Sequence, residues 1–214
     1  KMYIPVHVGA DGKDDLGYIK DNSGDNISKK NPFFCELTGL YWAWKNLNAD
    51  YIGLAHYRRH FSIKKKSNDK FENVLTEQQL QKILEKTDVV LTKKRKYYIE
   101  NLYSHYKHTM YIEPLDETGK IIEEIYPEYS AYFNKLHKRT SAHMFNMFIM
   151  KKEIFDDYCK WLFSILFELE KRIDNTKYDN FHSRFYGRIS ELLLDVYLQK
   201  NNISYKEVGF IYME

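Results

Sequence analysis

The chain has 214 residues, enough for a single domain, 1–214, with a substantial core, and its 43% hydrophobic and 16% aromatic content excludes a disordered protein. A formal net charge of +3 is too slight to argue for nucleic-acid binding, which concentrates a basic excess on one face. Two isolated cysteines, Cys35 and Cys159, read as reduced thiols rather than a disulfide. No apolar run approaches the roughly 20 residues of a membrane span, so the chain is expected to be soluble and cytoplasmic.

The chain opens on Lys1 and runs directly into MYIPVHVGA, which suggests that residues are missing upstream. Residues 9–31 are polar and glycine-rich and predict a long loop, a length that in a compact domain is usually functional or disordered. Pro32 suits the first position of a helix, with Asn31 as its N-cap, and Phe33, Leu37, Leu40, Tyr41 and Trp44 then give one apolar stripe. YIGLAHY predicts a strand. SIKKKSNDK predicts a charged surface loop, its lysines a solvated face. Thr76 caps a helix reaching Lys86, with Gln79 at the capping-box position.

DVVLT predicts a second buried strand. Residues 96–139 carry helical stretches rich in Tyr and His, and HMFNMFIM a further strand. Residues 152–173 form the longest predicted helix, with Ile154, Tyr158, Trp161, Leu162, Ile165 and Leu169 on one face. A helix over about 183–200 and a strand in SYKEVGFIY close the chain. Helices alternating with short apolar strands predict an α/β fold, Rossmann-like, whose mixed but mainly parallel sheet is flanked by helices. Ligands of such sheets bind beyond the carboxyl ends of the strands.

Phosphate loops, dinucleotide-binding glycine patterns, zinc spacings and the nucleophile-elbow pattern are all absent. Three segments remain. GDNISKKN, residues 24–31, sits at the mouth of a helix, where free N–H groups face an anion. Asp25 and Asn26 there suit a base or ribose, or simply a turn. In HYRR, strand alternation would place His56 and Arg58 on one side and Tyr57 and Arg59 on the other. Guanidinium groups bind phosphate oxygens bidentately, although an inter-strand ion-pair network is the structural alternative. In RFYGRISELLLDVYL, Glu191 and Asp195 stand one turn apart on an apolar helix, and Glu191 suits either a general base or an ion-pair partner of Arg188. His105 and His108, spaced i, i+3, read as a polar surface or pocket feature rather than a metal site.

The order GDNISKKNPFFCELTGLYWAWKN, YIGLAHYRRHF, YSHYKH, IYPEY, FNMFIMKKEIFDDYCKWLF and RFYGRISELLLDVYL resembles a bacterial domain family attached to capsular and exopolysaccharide biosynthesis proteins. That family, long labelled a domain of unknown function, is understood as glycosyltransferases, some of them similar to galactofuranosyltransferases. The resemblance implies an A-type glycosyltransferase-like fold and a UDP-sugar donor, with possession of galactofuranose as one option. It implies a glycan or lipid-linked acceptor and no nucleic acid, and leaves room for peripheral association at the inner face of the membrane. In the A-type pattern a strand ends in Asp-x-Asp, which holds a metal on the diphosphate. HYRR stands here instead, so the donor is expected to be held without a metal or other cofactor, by Asp25, Asn26, Lys30, Asn31, His56, Arg58 and Arg59. The first strand of that pattern would lie upstream of MYIPVHVG. By the same resemblance Glu191 stands where an inverting enzyme keeps its base, with Asp116 and Glu113 in reserve. His105, His108, Asn146 and Arg184 fall on the acceptor side. A non-catalytic carbohydrate-binding scaffold and a nucleotide-binding regulatory domain are the rival readings.

Overall fold

The computed structural model describes residues 2–63 and 68–213. The lysines of the charged loop, Lys64 to Lys66, lie outside the described residues. The chain begins with β1 (Val6–His7) and β2 (Ile19–Lys20), paired in parallel. The glycine-rich segment around them is ordered by one buried carboxylate. Asp21 is fully buried and accepts from the Gly9 and Ala10 amides at 2.8 and 3.0 Å, from Ser28 Oγ at 2.5 Å and from Thr38 Oγ1 at 2.6 Å. Gly9 has φ +63°, and a Cβ there would sit 2.3 Å from the Asn31 side chain, so only glycine fits.

Burial alone would push the Asp21 carboxyl up, but the Ser28 and Thr38 hydroxyls and the two amides outweigh it and hold the group below its usual value. Its contribution to stability is therefore present above the unfolded value and is lost as pH falls through the lowered one. Asp21→Ala orphans four donors at once and is expected to cost about 3 kcal/mol, at roughly 1–3 kcal/mol for an unsatisfied buried group. Denaturant unfolding of the variant checks this.

The helix predicted from Pro32 is two pieces. α1 (Asn31–Phe34) ends at Cys35, whose φ of 50° and ψ of −128° break the spiral, and α2 (Leu37–Asn46) resumes after it. Asn31 is not the N-cap; that is Lys30. The Asn31 side chain instead donates to the Cys35 carbonyl at 2.8 Å and to Thr38 Oγ1 at 3.2 Å. β3 (Tyr51–Leu54) and β4 (Arg59–Ser62) follow, then α3 (Glu77–Leu84), which carries the predicted Thr76/Gln79 capping box. Beyond it lie β5 (Val89–Thr92), β6 (Arg95–Lys96), α4 (Leu102–Thr109), α5 (Glu113–Ile125) and α6 (Pro127–His137). β7 (Ser141–Ala142), β8 (Phe148–Lys151), α7 (Lys152–Arg172), α8 (Phe185–Lys200) and β9 (Lys206–Tyr212) complete the chain.

The main sheet has the order β3-β8-β5-β9-β4. It is mixed, but not mainly parallel: among the described residues only the β5–β9 pairing is parallel, while β3–β8, β5–β8 and β4–β9 are antiparallel. β8 runs against its neighbours and so separates strands that would otherwise form a parallel pair. The sheet also curls. Only Ala55 to Arg58 link β3 to β4, the two ends of the strand order, and five steps fully extended reach at most about 18 Å, which the turn closed by the Arg59 amide on the His56 carbonyl shortens further. Four inter-strand gaps laid flat need about 19 Å. β9 resolves this by pairing with β5 through Lys206–Val208 and then crossing to pair with β4 through Gly209–Tyr212.

α7 packs on β3 and β8, and buries Phe155, Tyr158, Cys159, Leu162, Ile165, Leu166 and Leu169. α8 packs against α6, α1 and α7 and is buried nearly all round, as a central helix must be. Cys35 and Cys159 are free thiols. Among the described residues no helix is long and apolar enough to cross a membrane.

Candidate active site

Two carboxylates, Glu191 and Asp195, lie on the buried helix α8, 6% and 1% exposed. A buried charge costs several kcal/mol, of the order of the desolvation penalty of one ion, unless something compensates it. The two are compensated differently. Asp195 accepts from the His143 amide at 2.8 Å and faces His143 Nδ1 at 2.8 Å, while His143 Nε2 faces Glu207 of β9 at 2.9 Å. Burial opposes ionisation of Asp195, yet the His143 bonds prevail and hold its carboxyl below the usual range.

Glu191 is compensated on one side only. Its Oε1 accepts from the Phe145 amide at 3.0 Å, but the buried Oε2 has no hydrogen-bond partner. Arg188 Nη1 stands 3.8 Å away, beyond hydrogen-bond reach. Burial pushes the Glu191 carboxyl up to about 7; Arg188 opposes the shift and Glu36 adds to it. A carboxyl poised near neutrality with an unused oxygen has the properties of a general base.

The segment before β8 supplies the wall opposite α8. HMFNMFIM is not strand throughout, since Phe145 and Asn146 both have positive φ, 76° and 52°, and β8 begins only at Phe148. Non-glycine residues in such conformations cost roughly 1–3 kcal/mol each and persist where the surroundings over-determine them. The surroundings here do so. His56 Nε2 donates to the Phe145 carbonyl at 2.5 Å, and Asn146 Nδ2 donates to Glu36 Oε1 at 2.7 Å and to the Gly187 carbonyl at 3.1 Å. Ser190 Oγ donates to Asn146 Oδ1 at 2.9 Å. Glu36 owes its place to the Cys35 break between α1 and α2.

HYRR does not continue the strand, and the expected alternation of His56 and Arg58 against Arg59 gives way with it. β3 stops at Leu54, the chain turns through His56 to Arg58 with the Arg59 amide donating to the His56 carbonyl at 3.1 Å, and Arg59 begins β4. The turn lies beyond the carboxyl end of β3, where an anion was expected. The Arg59 guanidinium lies 4.4 Å from the Phe145 ring centroid and 5.3 Å from that of Tyr212, and its buried Nε has no partner. Arg58 lies over Tyr57 at 5.0 Å. Arg59 and Glu191 are within electrostatic reach of each other, as Tyr97 is of Glu191 and Arg188.

The structure thus brings together Glu191, Asn146, His56 and Arg59, with Arg188 beside them. Arg184 is exposed at the start of α8. Other expected residues are engaged in contacts of their own. Asp25 accepts from Tyr41 at 3.2 Å, Asn26 bonds within its own turn, and Lys30 pairs with Glu170 at 2.6 Å. Asp116 accepts from Tyr103 at 3.0 Å and Glu113 from Tyr178 at 2.8 Å. His105 and His108 do have a carboxylate, since both face Glu100, at 3.4 and 2.9 Å. Sequence reasoning missed Phe145, His143, Glu207 and Tyr212, and weighed Glu36 only as a reserve metal ligand; apart from His143, whose HMFNMF context is apolar, no local signal marks them.

A separate depression of about 330 Å³ lies between Tyr126, Tyr129, Trp161 and Tyr197. Its rings are already packed on one another, Tyr129 and Trp161 stacked at 4.7 Å, and it shares no lining residue with the Glu191 cluster, although Tyr197 stands on the same helix. Among the described residues no three His, Cys, Asp or Glu side chains gather where a metal ion could be held.

The chain is similar to a solved structure titled WbbM bifunctional glycosyltransferase, in the apo form, with 35% identity and a TM-score of 0.90. The likeness covers 98% of this chain but 42% of that one, so the chain spans less than half the length of that protein. Among curated proteins no match is found. Residues 1–202 match the family described as Domain of unknown function (DUF4422), which is most of the chain, and the chain belongs to that family.

Proposed function

We propose that this chain is a glycosyltransferase domain that moves a sugar from a UDP-sugar to a hydroxyl of a glycan or lipid-linked acceptor in bacterial surface polysaccharide synthesis. Galactofuranose is one sugar that the family resemblance offers. The observation that carries the reading is Glu191, a buried carboxylate with one oxygen anchored and the other unused, set beside an arginine held between two aromatic rings. The likeness to a bifunctional glycosyltransferase supports it.

In the reaction Glu191 takes the proton of the acceptor hydroxyl as its oxygen bonds to the anomeric carbon. The bond from that carbon to the diphosphate breaks on the opposite face, inverting the centre, and UDP leaves with the bonding pair. Arg59, with Arg58, neutralises the charge that develops on the diphosphate, the work a metal does in Asp-x-Asp enzymes. Glu191 Oε2 is shielded in the resting structure, so the acceptor reaches it after a side chain swings aside. Arg188, half exposed and 3.8 Å away, is the neighbour the geometry offers.

A donor screen that measures UDP release with acceptor present tests the reading. A glycan-holding scaffold would release none. Release is expected to persist in excess EDTA, and an absolute requirement for manganese or magnesium would remove the arginines from the metal's role. Arg59→Ala is expected to weaken UDP binding by about one to two decades, the equivalent of a charge-assisted hydrogen bond at roughly 1.5–3 kcal/mol. Calorimetry reads this directly, and unchanged binding would make Arg59 structural.

A further inference from the structure

Four consecutive basic residues, Lys93, Lys94, Arg95 and Lys96, lead from the end of β5 into Tyr97, Tyr98 and Ile99. Tyr98 and Ile99 are 91% and 97% exposed, the barest large apolar side chains among the described residues. The root of this loop is fixed. β6 pairs with β7, the Tyr97 amide donates to the Thr140 carbonyl at 2.7 Å, and the Leu102 amide donates to the Arg139 carbonyl at 2.8 Å. The same pairing brings Lys138 and Arg139 alongside the loop that follows Tyr97. The one acidic residue that follows the tip, Glu100, faces His105 and His108.

We infer that this loop docks the domain on an anionic lipid surface. Tyr98 and Ile99 enter the boundary between headgroups and acyl chains, and the exposed Lys93, Arg95 and Lys96 face the lipid phosphates, while Lys94 is turned to Tyr205, whose hydroxyl it reaches at 3.1 Å. The pairing of chemistries selects the partner. A bare isoleucine offers nothing to a sugar ring or a nucleic-acid backbone, and a basic cluster offers nothing to a neutral glycan. A surface with negative headgroups over an apolar layer meets both. Tyr97, at the loop's root, is within electrostatic reach of Glu191 and Arg188, so docking through this loop holds the candidate site near the surface. The inference about the surface does not depend on the transfer reading.

Co-sedimentation with vesicles of phosphatidylcholine alone and of phosphatidylcholine with phosphatidylglycerol tests it. Binding is expected only to the anionic vesicles and is expected to weaken as salt rises. Each basic residue near such a surface contributes about fivefold in affinity. Lys93→Gln combined with Lys96→Gln should therefore weaken binding by about tenfold or more, and Tyr98→Ser with Ile99→Ser should weaken it comparably. All four side chains are exposed, so melting curves matching the parent will show both variants folded. Absence of binding at low salt, equal binding to both vesicles, or parent-like binding by both variants would each overturn the inference. Any of these would leave the UDP-release test of the transfer reading untouched.

Discussion

Glu191→Gln is expected to lower kcat by about 10²–10⁴-fold, the usual contribution of a general base, while leaving UDP binding intact. Glutamine keeps the size of the side chain and can still accept from the Phe145 amide, but it cannot take a proton. In the parent, kcat should climb as Glu191 ionises and level off above about pH 7. The variant should lose that limb.

The same substitution has a second, opposite signature. With the folded-state value raised to about 7, the folded chain keeps a proton that the unfolded chain releases at an ordinary glutamate value. Stability therefore falls as pH rises through that window, and above about 7 the whole penalty is in force. Removing the ionisable group should make the variant more stable than the parent at pH 8, by about 1–3 kcal/mol, with the difference vanishing toward pH 4. Normal turnover in the folded variant would move the base elsewhere, with Asp116 and Glu113 as the next candidates. A loss of stability at pH 8 would mark Glu191 as an ion-pair partner of Arg188.

Asp195→Ala is expected to be the most destabilising change at the site, at about 3–5 kcal/mol, because it strands the His143 ring and amide in the interior without their partner. Asp195→Asn keeps an acceptor and should cost less. The pH dependence runs opposite to that of Glu191. The Asp195 carboxyl is held low, so its contribution is complete above the ordinary aspartate value and disappears as pH falls through the lowered one. Denaturant unfolding across pH separates the two carboxylates, and a loss below about 1 kcal/mol would remove Asp195 from its structural role. The functional consequence follows from position. His143 and Phe145 hang on α8 through Asp195 and Glu191, so loosening the first attachment disturbs the second.

The elements that local chemistry specifies were legible in the sequence. The Thr76/Gln79 capping box, the apolar face of α7 and strands within DVVLT and SYKEVGFIY all appear where local pattern places them. What escaped depends on conformations without their usual residues. Cys35, Phe145 and Asn146 take positive φ where glycine would announce it, and the turn after Leu54 contains no glycine, proline or asparagine. Glu191 stood out as a carboxylate near the start of a late apolar helix, and the structure buries it there. The His143 bridge was not, since its partners lie 52 and 64 residues away, and no local pattern records a contact at that separation.

The crossing of β9 has a consequence for the order in which the molecule is made. Residues 59–62 find their strand partner only in residues 209–212, and Tyr212 supplies one of the two rings around Arg59. Glu207, on the same strand, completes the bridge through His143. Contacts this distant in sequence form late, and on a growing chain they wait for the residues themselves. While residues 206–212 remain inside the ribosome, the nascent domain carries its basic turn with one face of the arginine uncovered. The setting of Arg59 is thus completed by a segment made long after the basic turn that it covers, and a nascent chain that lacks this segment has the turn without its second ring.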